Sequence, residues 1–493
     1  MSRVRRIVPS VVAAVLLPQL AAAVESRICG SCHQDIYRRY ILTPMGRSSG
    51  AVGKLHPGEF QAADGVEFRI SEDSFSFRFE DEEIRRKLNY FIGAGVTGRS
   101  YLMAVDGFLF QAPISFYSSS SRWDLSPGYE KTNGENLLRE VEPSCLNCHA
   151  SGVRWKSGTV NGYEQPPFTE GGVSCERCHG PGDEHVTGIR AGKRVIPQPV
   201  ERESVCAQCH LPGVVTIGRS VFVWEGLARE STVNGHYEQL ARSRCALASG
   251  GKMWCGSCHD PHAPVPYNQR CLNCHAPTSC TATHKATNDC VACHMPRISA
   301  PTVAHATLTD HTIPRRPVHD RPSDVPQDAR LKLYGGGEPS ARDLGLAYAA
   351  IALRDNNRIW GKRAIDLLEA SLSSGRTDAK VLTQLAQLLE REGREPRACE
   401  LYAQAVAADP APVGAAVNLG NCYANKGELA KSIPLWKAAL SRSPGLEAAR
   451  LNLAVALYRG DNAEAARAVL TEGLRFNPAS RQIRALLREI QVR

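Results

Sequence analysis

Beyond residue 23 the sequence has no segment long and apolar enough to cross a bilayer as a helix. The only long apolar run, Ile7 to Ala23, is interrupted by Pro9, Pro18 and Gln19. It follows Met1-Ser-Arg3-Val-Arg5-Arg6 and ends in Ala21-Ala22-Ala23. A basic start, a short apolar centre and a small-residue exit make residues 1–23 a secretory signal peptide, cleaved near Ala23. An uncleaved anchor is the alternative. No cysteine sits at the cleavage site, which argues against a lipid anchor. A large excess of charge of one sign is also lacking, with 59 Lys and Arg against 50 Asp and Glu. The formal charge of +9 falls to +6 when Arg3, Arg5 and Arg6 leave with the signal, so the basic balance is no argument for nucleic acid. A chain of 493 residues is too long for one ordinary domain, and two or three are expected. Histidine is scarce too, at 15 residues, but it is not scattered.

Seven of those histidines each follow a Cys-x-x-Cys pair directly. The motifs are Cys29-Gly-Ser-Cys32-His33, Cys145-Leu-Asn-Cys148-His149, Cys175-Glu-Arg-Cys178-His179, Cys206-Ala-Gln-Cys209-His210, Cys255-Gly-Ser-Cys258-His259, Cys271-Leu-Asn-Cys274-His275 and Cys290-Val-Ala-Cys293-His294. Zinc knuckles and thioredoxin-like sites also use paired cysteines, but neither has a reason to place His after every pair. The pattern reads as attachment of haem c. Two thiols add to the haem vinyl groups and the adjacent His reaches the iron from the proximal side. Seven covalent haems are expected. Their propionates would make the loaded protein more acidic, and their attachment implies an exported bacterial protein, periplasmic or extracellular.

The first motif stands alone in residues 24–50. Met45, in Thr43-Pro-Met45-Gly, is a candidate distal ligand for its haem or a packing residue. Between residues about 60 and 120 the pattern alternates, with Val66, Phe68, Ile70, then Phe75, Phe77, Phe79. Period two predicts half-buried strands, and Asp106-Gly107 between apolar runs predicts a hairpin. This antiparallel insert is expected to shield the haem edge. The remaining motif starts lie 30, 31, 49, 16 and 19 residues apart, which leaves room for short helices and turns around cofactors.

Distal ligands must come from outside the motifs. Eight histidines are available: His56, His185, His236, His262, His284, His305, His311 and His319. With Met45 they outnumber the seven irons, so they do not force an open site. His319 sits in a Pro/Arg-rich stretch and is the weakest of them. Cys245 and Cys280 are left over, as a disulfide or as packing thiols.

Residues 312–340 are rich in Pro, Arg and Gly and read as a linker or a strap, with the linker placed at 321–344. The composition then turns to Ala, Leu, Glu and Arg, and Pro410, Pro444 and Pro478 recur every 34 residues. This register gives repeats at 379–410, 413–444 and 447–478, with small residues at Ala386, Gly420 and Ala454 and large ones at Tyr402, Trp436 and Leu470. It is the tetratricopeptide pattern of paired helices. A weaker copy fits 345–378, and Arg481–Ile490 reads as a cap. Cys399 and Cys422 are expected to be small core residues rather than a disulfide.

Three stretches carry a family resemblance: Cys175-Glu-Arg-Cys-His-Gly-Pro-Gly-Asp-Glu-His185, Cys255-Gly-Ser-Cys-His-Asp-Pro-His262 and Cys290-Val-Ala-Cys-His-Met-Pro-Arg297. Residues 27–320 resemble the multihaem cytochromes c related to the nitrifier tetrahaem carrier and to hydroxylamine oxidoreductase. The resemblance implies that His185 and His262 are distal ligands and that many irons are bis-His. It reaches both carriers and enzymes.

The expected fold is mainly α: a multihaem cytochrome c domain (24–320) with little regular structure and a β insert, then a linker and an all-α repeat solenoid (345–493). The expected function is electron transfer along a haem chain. The concave face of the repeats would dock a protein partner, beside a separate redox partner protein. A carrier without catalytic residues is favoured over an enzyme. The alternatives are an oxidoreductase acting on a small nitrogen or sulfur compound at one open haem, and a repeat scaffold with structural haems.

Overall fold

A computed structural model describes residues 24–63, 65–129, 138–196, 202–226, 235–276, 289–299, 307–315, 325–373, 377–408 and 412–492. Residues 1–23, Cys280, His284, His305 and His319 lie outside the described residues. No helix of the described residues is long and apolar enough to cross a membrane.

The first motif spans the junction of α1 (Ser26–Gly30) and α2 (Gln34–Tyr40). Among the described residues ten strands follow: β1 (Ser49–Ala51), β2 (Gly58–Gln61), β3 (Glu67–Ile70), β4 (Ser74–Phe79), β5 (Glu82–Lys87), β6 (Tyr90–Ile92), β7 (Gly98–Val105), β8 (Phe108–Tyr117), β9 (Arg122–Leu125) and β10 (Arg139–Glu140). They make two antiparallel sheets. One has the order β2-β3-β4-β5; the other runs β1-β6-β7-β8-β10, with β9 added on β8. The alternating residues Phe68, Ile70, Phe75, Phe77 and Phe79 are all buried, as period two requires. The β7–β8 hairpin turns at Asp106 (φ 52°) and Gly107 (φ 83°), the paired positive φ of a tight hairpin turn. The β region extends past the expected 60–120, because β1 and β10 pair with strands distant in sequence, on residues without an alternating pattern.

The other motifs lie on or beside short helices linked by hairpins: α3 (Pro143–Asn147), β11 (Ala150–Trp155), β12 (Tyr163–Gly171), α4 (Glu176–His179), α5 (Asp183–Arg190), α6 (Arg202–His210), β13 (Val215–Ile217), β14 (Ser220–Trp224), α7 (His236–Arg242), α8 (Arg244–Ala248), α9 (Cys255–Cys258), α10 (Tyr267–Leu272), α11 (Cys290–His294), β15 (Arg297–Ser299) and β16 (Thr307–Thr309). Such helices fall below the length of about 12 residues at which a helix holds itself in water, so contacts must hold them. The stretch expected as linker contains β17 (Leu331–Leu333), which completes the sheet β13-β14-β17.

Among the described residues nine helices follow: α12 (Ala341–Asp355), α13 (Arg358–Leu372), α14 (Ala379–Arg391), α15 (Glu395–Ala408), α16 (Val413–Asn425), α17 (Leu429–Arg442), α18 (Glu447–Arg459), α19 (Ala463–Phe476) and α20 (Arg481–Val492). Their boundaries match the three repeats read from the prolines. The small positions do what the pattern requires: Ala386 and Ala454 are fully buried, and a Cβ on Gly420 would meet the Trp436 indole at 2.6 Å. Side-chain caps start several of these helices. Asp378 accepts from the Lys380 and Val381 amides, and Asn462 from the Ala465 amide.

Cys399 and Cys422 are disulfide-bonded, with Cα atoms 5.9 Å apart, contrary to the expectation of separate core thiols. One lies on α15 and the other on α16 of the next repeat. Helix stacking brings their positions together, which spacing along the chain does not reveal.

The array packs on the rest of the chain at both ends. The rings of Trp224 and Trp360 pack tilted at 31° with centroids 4.9 Å apart, and the Tyr348 hydroxyl accepts from the Leu331 amide. At the other end Phe476 enters the β core beside Phe108 and Phe110, and ion pairs Arg475–Asp106 and Arg484–Glu82 (each 2.7 Å) flank it.

Candidate functional site

The attachment motifs converge, but not with their neighbours in sequence. The Cys29 thiol is hydrogen-bonded to Cys175, joining the first motif to the third. Cys148 contacts Cys209, Cys206 contacts Cys255, and Cys271 contacts Cys290. These thiols stand where thioether sulfurs would be after attachment. Cys178 lies near Cys206 and Cys209, and Cys258 lies near Cys274. Motifs one, three, four, five, six and seven therefore adjoin in that order, and motif two sits beside motif four. Neighbouring thiols set each other's acidity. The bond from Cys148 draws Cys209 down to about 6, and the bond from Cys255 draws Cys206 down to about 7. Burial pushes Cys29 up to about 11.

The histidines pair across motifs in the same way. The rings of His33 and His185 have centroids 6.4 Å apart and planes 20° apart. His179 faces His262 at 5.9 Å and 23°, and His259 faces His311 at 6.1 Å and 19°. His210 and His236 are closer, at 5.1 Å, with Nδ1 atoms 3.1 Å apart, and His236 also lies 4.5 Å from His311. Burial, then the neighbouring His311, His210 and His259, hold His236 down to about 3. It therefore stays neutral, the form that can ligate a metal.

Two imidazoles bound to one metal through nitrogen, with bonds of about 2.0 Å, have ring centres roughly 6 Å apart. The three wider pairs have that span, so these residues fit a six-coordinate haem iron between them. Second ring nitrogens are also engaged. Nδ1 of His185 lies 2.6 Å from the Val195 carbonyl, that of His311 2.8 Å from Thr309, and that of His294 2.9 Å from Pro314. Such contacts fix a ligating imidazole's tautomer and orientation. Backbone carbonyls leave no signal in sequence, so these partners were not legible there.

Other sites are less complete. His149 has a buried Nδ1 without a hydrogen-bond partner, and burial lowers its pKa. Its carbonyl accepts from Ser48 Oγ (2.9 Å) and Ser49 Oγ (2.6 Å), which ties β1 to the second motif. Among the described residues no ring is stacked on His149, although His210 lies near enough to feel its charge. Met45 is half-buried in the turn leading to Ser48, and its carbonyl accepts from the Ser48 hydroxyl and the Val173 amide. That turn adjoins the second motif. His275 is exposed. His56 is exposed on the β region beside Phe116, 6.0 Å between ring centroids, and no motif histidine faces it. Cys245 is a half-buried free thiol near Cys258.

Comparison with known proteins agrees with both halves of this description. Residues 119–180, which hold the second and third motifs, match the family model of cytochrome c554 and c-prime. Residues 426–490 match a tetratricopeptide repeat model. A curated relative, the multiheme cytochrome MtrA of Shewanella baltica (strain OS185), is 24% identical over 206 residues. The match covers 32% of this chain and 62% of that protein, so the chain spans less than two thirds of its relative's length. Among solved structures, MamA AMB-1 in its C2221 form aligns at 24% identity over 31% of this chain and 88% of that one, with a TM-score of 0.27. YrrB, described as a TPR protein with an unusual peptide-binding site, aligns at 21% over 30% and 75%, with a TM-score of 0.26. TM-scores this low carry no argument. The sequence matches imply covalently bound haem c: the chain joins a multihaem cytochrome c-like region to a tetratricopeptide region.

Proposed function

We propose that this chain is an exported electron carrier with seven covalent haems c, periplasmic or extracellular. The observation that carries the reading is that each attachment motif lies near the next, from the first through the third, fourth, fifth and sixth to the seventh. When bound, haem c supplies a one-electron couple. The chain's own residues then do three things. The seven Cys pairs would anchor, the following histidines would ligate, and His185, His262 and His311 would be the second ligands at the first, third and fifth motifs, while His236, with its Nδ1 3.1 Å from that of His210, is a candidate at the fourth only if the two rings move apart. His284 and His305 remain candidates for the sixth and seventh. A redox partner protein would exchange electrons at an end of the series, and the free face of the repeats would bind a protein partner.

A second reading rests on His149. Because no ring is stacked on it among the described residues and the nearby His210 already belongs to the fourth motif, that haem would be open to a small nitrogen or sulfur compound. One experiment separates the two: electron paramagnetic resonance of the oxidised holoprotein with and without nitrite or hydroxylamine. A low-spin spectrum that ignores both ligands supports the carrier. A high-spin component that shifts with either one overturns it in favour of catalysis.

A further inference from the structure

We infer that Asp260 is a positioning residue, which fixes the His262 imidazole at the third motif and lowers the reduction potential of the haem bound there. The inference rests on the reading of His262 as the second ligand opposite His179. Oδ1 of Asp260 lies 3.5 Å from Nδ1 of His262. At His185, His294 and His311 the same ring nitrogen meets a neutral backbone carbonyl. His262 instead has a carboxylate against it.

The local chain holds that carboxylate in place. Oδ1 of Asp260 also accepts from the His262 amide at 2.8 Å, and the Asp260 carbonyl accepts from the Ala263 amide at 3.3 Å. Pro261 fixes the backbone between them. Asp260-Pro261-His262 is therefore a rigid Asx turn that carries carboxylate and imidazole as one unit. A second contact holds the ring from outside the turn. Tyr40, buried at the end of α2, meets His262 edge-on, with 6.1 Å between centroids and 61° between planes. The Tyr40 hydroxyl is itself anchored, donating to the Val173 carbonyl.

A carboxylate beside Nδ1 favours the tautomer with the proton on that nitrogen, which leaves the Nε2 lone pair for the iron. Its negative charge also makes the imidazole a stronger donor and favours ferric over ferrous iron, so the potential falls. The side chains of His262 and Asp260 are 35% and 37% exposed, so water screens the charge in part. The expected size is about a tenfold change in the ferric-to-ferrous ratio, or about 59 mV for a one-electron couple. Asp260 also follows His259 of the fifth motif directly, so the fifth haem is the competing target.

The test is redox titration of the holoprotein followed by electron paramagnetic resonance. The low-spin signal that His262→Ala abolishes identifies the haem. Asp260→Asn keeps an oxygen for the His262 amide but removes the charge. In that variant the potential of the same signal should rise by about the tenfold ratio, with no high-spin component. Asp260→Glu keeps the charge and should shift the potential less. An unmoved potential in Asp260→Asn, equal shifts in the two variants, or a shift confined to another haem overturns the inference and leaves the carrier reading intact. If His262→Ala abolishes no low-spin signal, His262 is not a ligand and the inference falls with that assignment. The count of seven haems is then still tested by mass.

Discussion

The imidazoles of His33 and His185 face each other at 6.4 Å with nearly parallel planes, although His33 ends the first motif and His185 follows the third. On the proposed reading His185 would serve the haem of the first motif, far away in sequence, and not that of His179 nearer to it. His185→Ala should convert one low-spin haem to high-spin in the oxidised spectrum. The change should vanish when Cys29→Ala and Cys32→Ala have already removed the first haem. A high-spin signal that persists in the combined variant assigns His185 to another motif.

The same logic places His262 opposite His179, at 5.9 Å. His262→Ala should produce one high-spin haem, and the effect should depend on Cys175 and Cys178. Dependence on Cys255 and Cys258, the motif next to it in sequence, would contradict the pairing.

Phe476 is 4% exposed and its ring meets Phe108 and Phe110 edge-on. Deleting a buried aromatic ring costs about 3–5 kcal/mol. Phe476→Ala should therefore lower the thermal midpoint of the β region together with that of α19 and α20. A loss confined to the helices would show that the contact does not couple the two.

Gly420 lies against Trp436, whose indole N–H donates to the Val417 carbonyl and to Asn421 (3.2 Å each). Gly420→Ala should displace the indole and destabilise the array by about 1–3 kcal/mol, read by chemical denaturation. The usual helix gain of alanine over glycine, about 1 kcal/mol, acts in the opposite direction, and net stabilisation would contradict the packing.

Burial raises the Glu140 pKa above its ordinary 4.5, and its carboxylate accepts from Ser443 across the joint between β region and array. A carboxyl whose folded pKa is raised contributes stability below its unfolded value, and that contribution is lost as pH rises through the folded value. Glu140→Gln keeps an acceptor for Ser443 without the charge. The variant should melt higher than wild type at pH 7, and the difference should shrink by pH 4. A variant equally destabilised at both values would mean that the carboxylate itself holds the joint.

Some of this molecule was legible before folding and some was not, for physical reasons. The β7–β8 hairpin was legible because Asp106-Gly107 encodes its turn locally. The array was legible because Pro410, Pro444 and Pro478 repeat, and helix boundaries follow from the register. The strand Leu331–Leu333 read as linker because its partner is β14, with Leu333 opposite Phe222. A three-residue strand carries too little pattern to announce a distant partner. The Cys399–Cys422 link was missed for a related reason, since helix stacking between repeats decides which positions meet. The pairing of His33 with His185, and of His179 with His262, likewise depends on how motifs pack. The sequence supplies the candidate ligands but not which of them meet.

The most direct test of the central claim is the mass of the exported protein after denaturation, when only covalent groups remain. The proposal predicts the polypeptide from about residue 24 plus seven haems. A mass equal to the bare polypeptide in protein recovered from a haem-attaching host would contradict it.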